Sequence, residues 1–140
     1  MSLPLGRERI WTALDGVVHD TLYEMVGDAW FDDLSARFYE GVAADPTLRP
    51  LYPDELGPPA ERLAGFLRQY WGGPSAYSDE RGHPRLRMRH APFQIASAER
   101  DAWLRCMEAA LAGGGLPLAA ETAVMDYFRS AAQHLVNATD

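Results

Sequence analysis

The run Arg85-Leu86-Arg87-Met88-Arg89-His90-Ala91-Pro92-Phe93 decides how the rest of this 140-residue chain is read. Ahead of it, Gly82-His83-Pro84 offers a turn and then a proline suited to a first helical turn, while Pro92 lacks the amide that a longer helix would need. The pattern predicts a short helix over about 84–91. At ~100° per residue, Leu86 and His90 share one face, and Arg87 and Arg89 lie to either side. An imidazole on an apolar face between cations suits a flat, greasy ligand with anionic groups at its edge, which the guanidinium groups could reach. The same pattern suits a core histidine that packs and hydrogen-bonds, and on the pattern alone that is the more economical reading.

Working outward, the totals bound the answer. A chain of 140 residues is most economically one domain, large enough to bury a core and a small cofactor besides. With a formal net charge of −7, a pI near 5.0 and no long basic run outside Arg81–Arg89, a nucleic-acid partner is not expected. The single cysteine, Cys106, allows neither an internal disulfide nor a Cys-x-x-Cys site, reads as a small buried hydrophobe, and fits a reducing cytoplasm best. Residues 1–20 carry no leader-like apolar run, and no stretch of ~18 apolar residues occurs, so neither secretion nor membrane insertion is expected.

The spacing of Ile10, Leu14, Val17 and Val18 predicts a short amphipathic helix within an N-terminal extension, residues 1–18, ahead of a domain over 19–140. Thr21 followed by Glu24 has the order of a capping box, and Gly27 should close that helix within two turns. Phe31, Leu34, Phe38 and Val42, with Tyr39 at the edge, form the inward stripe of a helix from Asp28 to about Asp45-Pro46. Residues 46–59 hold too many prolines and glycines for regular structure, but Leu48, Leu51, Tyr52 and Leu56 mark a packed connector. A further helix carries Leu63, Phe66, Leu67 and Tyr70 until Trp71-Gly72-Gly73-Pro74 stops it, and 73–83 reads as irregular surface. Ser97 is placed to cap a helix with Trp103, Met107, Ala110 and Leu111 inward, ending at Gly113-Gly114-Gly115. A last helix from about Pro117 turns Val124, Tyr127, Phe128, Ala131 and Leu135 inward. No segment alternates as a strand would, so the class is all-α.

Several blocks carry a family likeness: Arg37-Phe38-Tyr39, Leu51-Tyr52-Pro53, Gln69-Tyr70-Trp71-Gly72-Gly73-Pro74, Gly82 through Phe93, and Glu99-Arg100-Asp101-Ala102-Trp103-Leu104. In matching order from about Thr21 to Asn137, the chain resembles the truncated haemoglobins, group II. The resemblance implies a two-on-two helical sandwich around haem b (iron protoporphyrin IX), with His90 as proximal iron ligand. It implies distal polar roles for Tyr39, Tyr52 and Trp103, and an apolar distal wall from Leu63 and Phe66. It further implies Arg89 as the main propionate partner, with Arg87 and Tyr77 behind it, and Leu86 and Phe93 beside the haem. Without it, packing would be the better reading for both Tyr39 and Trp103. The connector from Tyr52 to Glu61 is about a residue shorter than the common pattern, leaving Pro59 or Ala60 where a small gate residue is expected.

Ferrous haem with one histidine ligand binds oxygen, and O–H and N–H donors aimed at that oxygen slow its escape. The expected function is therefore a haem protein that binds oxygen and other diatomics reversibly, with nitric oxide dioxygenase or peroxidase-like activity; the rival is a non-catalytic carrier or sensor. The implied ligands are oxygen, nitric oxide or peroxide. Turnover would draw on a separate reductase, because the chain holds no flavin or nicotinamide motif. Trp11 and Trp30, read as exposed, hint at self-association into a homo-oligomer.

Overall fold

A computed structural model describes residues 10–81, 90 and 93–139 of the chain. Its named elements among the described residues are α1 (Leu22–Val26), α2 (Asp28–Ala44), α3 (Gly57–Tyr70), α4 (Ala76–Arg81), α5 (Ser97–Ala112) and α6 (Leu118–Leu135), with a 3-10 turn at Arg49–Leu51. The helix expected over 84–91 lies outside the described residues except for His90, which is itself helical. α2 packs on both α3 and α5, and α5 packs on α6, so one helix pair lies against another. No strand occurs among the described residues, and none of their helices is long and apolar enough to cross a membrane.

The core follows from the stripes. Phe31, Leu34, Phe38 and Val42 of α2 are fully shielded, as are Leu67 of α3, Met107 and Leu111 of α5, and Val124 of α6. At roughly 1.5–3 kcal/mol per large apolar side chain removed from water, these contacts dominate the stability of the fold. α2 and α5 meet closely at Gly41, where an added Cβ would lie 3.1 Å from the Cys106 sulfur, and Cys106 is 8% exposed. That close approach brings the Trp103 end of α5 against Phe38.

Caps and turns set the ends. Thr21 accepts the Glu24 amide at 3.1 Å, while the Glu24 carboxylate takes the amide of Asp20 at 3.2 Å. Gly27, at φ 80°, then closes α1 and opens α2. Trp71 caps α3, its carbonyl accepts the Tyr23 amide at 3.0 Å, and Gly72 turns the chain at φ 108°. A Cβ on Gly72 would sit 2.6 Å from the Thr21 side chain. Gly72→Ala therefore combines strain at positive φ with a clash at the α1 cap, and is expected to destabilise by more than ~1 kcal/mol. A urea midpoint equal to that of the parent would contradict this.

Several expectations need correcting. Residues 10–20 form no helix: Asp15 accepts the Val17 amide, Gly16 turns at φ 86°, and a single antiparallel bridge joins Thr12 to Val18. The β-branched Val17 and Val18 suit that extended return, and with Leu14 they are exposed. Pro58 and Pro59 belong to the first turn of α3 rather than the connector, where their missing amides are no loss. The stretch read as irregular contains α4, held by the Gln69 side chain, which bonds the Ser78 amide at 2.9 Å and its hydroxyl at 2.7 Å. Ser97 is the first residue of α5, and Ala96 takes the cap position with its amide bound by Glu99 at 2.8 Å.

The inner face of α6 is also rotated slightly: Met125 and Ala132 are buried, while Tyr127, Ala131 and Leu135 are half-buried. Trp11 and Trp30 are half-buried rather than exposed. The Trp11 ring meets Trp71 edge-on at 5.6 Å, and the Trp30 indole donates to the Gly114 carbonyl at 2.8 Å.

Candidate functional site

Tyr39, Tyr52 and Trp103 come from three different elements and converge. Tyr39 follows Phe38 on α2, and Phe38 acts as the spacer, with ring centroids 5.0 Å from both Tyr39 and Trp103. Tyr39 and Tyr52 meet edge to face at 5.4 Å, the geometry that the charge distribution of aromatic rings favours. Trp103 also packs on Phe128 of α6 at 5.4 Å.

The Tyr39 and Tyr52 hydroxyls and the Trp103 indole N–H come together as polar neighbours within the ring cluster. Burial, followed by the neighbouring Tyr52, pushes the Tyr39 phenol far above its ordinary 10.0. Burial raises Tyr52 as well, partly offset by its polar neighbours Tyr39 and Trp103. Both phenols therefore stay neutral donors at any physiological pH. Their protonated forms are favoured by folding, so the associated stability is fully present below the ordinary phenol pKa of ~10 and is lost as pH rises through the folded values. We expect the urea midpoint to fall steeply above about pH 10, with part of the phenolate absorbance appearing only as the protein unfolds. Complete ionisation of the tyrosines in the still-folded protein near that pH would refute the neutral assignment.

Tyr52 is fixed by a residue that the sequence did not flag. Arg49 donates to three successive carbonyls, Tyr52 at 3.3 Å, Pro53 at 2.9 Å and Asp54 at 2.8 Å. Just upstream, Asp45 accepts the amides of Thr47 and Leu48 at 2.8 and 3.0 Å, which starts the 3-10 turn at the correct place. The only sequence cue was a lone arginine in a proline-rich connector.

Leu63 and Phe66 lie half-buried on α3, and Phe66 meets the ring of Tyr77 from α4 at 5.6 Å. Pro59 is buried and Ala60 half-buried; the Ala60 carbonyl accepts from the buried Ser35 hydroxyl at 2.7 Å. His90 is half-buried and Phe93 is 44% exposed. Their segment is clasped by Asn137, beyond the end of α6. Its amide donates to the carbonyls of His90 at 3.4 Å and Phe93 at 2.9 Å, and its side-chain oxygen accepts the Ile95 amide at 2.8 Å. Nothing in the sequence beyond a polar residue after the last helix pointed to Asn137. Leu86, Arg87 and Arg89 lie outside the described residues.

A chain with this helix order and this cluster has the architecture of a small globin. The bacterial-like globin pattern matches residues 21–137, and the chain belongs to that family. Among its relatives is the Group 2 truncated hemoglobin YjbI of Bacillus subtilis (strain 168), 41% identical over 118 residues that cover 84% of this chain and 89% of the relative. Two solved structures are similar throughout. A thermostable hemoglobin from Thermobifida fusca has 55% identity and a TM-score of 0.81, over 84% of this chain and 97% of that one. An oxygen-avid truncated haemoglobin from Bacillus subtilis has 40% identity and a TM-score of 0.80, over 84% and 100%. The group II truncated globin likeness and the all-α two-on-two fold are thus borne out.

Proposed function

We propose that this chain binds haem b through His90, holds oxygen against the Tyr39, Tyr52 and Trp103 cluster, and consumes it with nitric oxide to form nitrate. Membership of the globin family supports haem-based oxygen binding at the coarse level. When bound, haem would be held by the His90 imidazole and would supply ferrous iron, which binds diatomic molecules and reacts with peroxide. The residues present fit that group. The half-buried Leu63 and Phe66 and the 44%-exposed Phe93 leave apolar surface that a flat ring can cover, and the donor set is the kind that a polarised diatomic needs. Arg89 is assigned to the propionates, with Arg87 and Tyr77 as further partners.

One observation carries the reading. Tyr39, Tyr52 and Trp103 gather from three elements around Phe38, and burial keeps both phenols protonated, so O–H and N–H donors are concentrated at one place. A hydrogen bond to a partly charged acceptor contributes ~1.5–3 kcal/mol, and several donors around one oxygen favour retention over rapid release. The oxygen-avid Bacillus subtilis relative supports tight binding here. Tight retention suits chemistry on oxygen better than delivery of it. Nitrate formation joins oxygen, nitric oxide and one electron, and that electron is assigned to a separate reductase.

Rapid mixing of the oxygenated holoprotein with nitric oxide tests this. Stoichiometric nitrate, with repeated turnover when a reductant is supplied, is expected; a single slow event would instead favour a carrier or sensor. Peroxide reduction at the same site is a second reading, favoured by the contact of Trp103 with Phe128, which leads out of the cluster toward other oxidisable rings.

A further inference from the structure

We propose that the rings from Trp103 to Tyr70 form a path for oxidising equivalents, and that Tyr70 is a surface site at which phenolic reductants are oxidised. The proposal rests on the peroxide reading above. Trp103 meets Phe128 at 5.4 Å, Phe128 meets Tyr127 at 5.3 Å, and Tyr127 stacks on Tyr70 at 4.3 Å with the planes 29° apart. The first two separations fall within the ~4.5–7 Å of aromatic rings in contact, and the Tyr127–Tyr70 stack is closer still. The path starts inside the donor cluster, because Trp103 packs on Phe38, the ring that Tyr39 also meets. Tryptophan and tyrosine are the stations, and the buried Phe128 is a bridge between them.

The end point follows from where a proton can go. Losing an electron makes a phenol strongly acidic, so a tyrosine holds the oxidation only where its proton can leave. Burial holds the Tyr127 phenol up at about 12, whereas Tyr70 is 50% exposed and can release its proton to water. Beside these two rings lies an open groove of about 670 Å³, lined also by Ser130, Ala131, Gln133 and His134. That volume lies within the ~300–1,000 Å³ of small-molecule sites. Ring faces to stack on, with hydroxyl, amide and imidazole groups at the rim, suit a phenol.

The electrons balance. Hydrogen peroxide takes two electrons and two protons and leaves as two waters. Tyr70 supplies the electrons one at a time along the path, releasing its phenolic proton on each occasion. A phenol in the groove returns one electron and one proton to the Tyr70 radical, and leaves as a phenoxyl radical. Two phenols are consumed per peroxide.

The test uses the full chain loaded with hemin, treated with hydrogen peroxide and a nitrone spin trap, with the adduct located by peptide mass spectrometry and peroxide consumption followed in parallel. The adduct is expected on Tyr70, absent in Tyr70→Phe, and lost from Tyr70 in Tyr127→Phe, which keeps the ring packing but removes the station before it. Guaiacol oxidation should fall in both variants. An adduct confined to Trp11, Trp71 or Trp103, or a Tyr70 adduct undiminished in Tyr127→Phe, would overturn the path. Peroxide consumed without any Tyr70 adduct would sink the path and leave the peroxide reading standing; no consumption at all would sink both.

Discussion

Replacing His90 by alanine is expected to abolish tight retention of hemin. The imidazole is the one axial group assigned to the iron, and its removal leaves only apolar contact and edge charge to hold the ring. Losing a residue that merely orients a metal ligand costs ~10–100-fold in affinity, so losing the ligand itself must exceed that range. Asn137→Ala supplies the comparison, because it removes the clasp on the His90, Phe93 and Ile95 backbone while leaving the imidazole in place. It should fall within ~10–100-fold. Absorbance titration with hemin measures both, and a His90→Ala protein that binds like the parent would remove His90 as the ligand.

The second large effect is expected from Tyr52→Phe. On the proposed function that change deletes the O–H assigned to the ligand, and it also removes the hydroxyl beside which Tyr39 and Trp103 pack. A loss of ~1.5–3 kcal/mol corresponds to oxygen dissociation faster by about ten- to a hundredfold. Trp103→Phe loses one bond and keeps the Tyr52 hydroxyl, so about tenfold is expected there. Stopped-flow displacement of oxygen reads both rates. A larger effect from Trp103→Phe than from Tyr52→Phe would show that the indole, rather than the phenol, faces the ligand.

Much of the architecture could be read directly from residue order. In α2 and α5, a regular apolar stripe coincides with a buried face and with clear punctuation, Gly27 before the one and the glycine triplet after the other. Where the reading failed, the deciding interaction was not periodic. Ile10, Leu14, Val17 and Val18 have helical spacing, but Asp15-Gly16 provides a turn, and the extended return it allows is what forms. α4 depends on Gln69, a side chain from the preceding helix, so no local pattern announces it. Within the candidate site, the aromatic donors were legible because family likeness marks them. Arg49 and Asn137 were not, because each acts through backbone carbonyls, which sequence does not display.

The grip of Arg49 divides the connector into two halves with different freedoms. Up to Asp54 the backbone is pinned by the guanidinium; from Glu55 to the start of α3 it is not. Insertions and deletions can therefore be taken up in the second half without displacing Tyr52. Loop length is thus free to drift there while the anchor of the Tyr52 ring stays put.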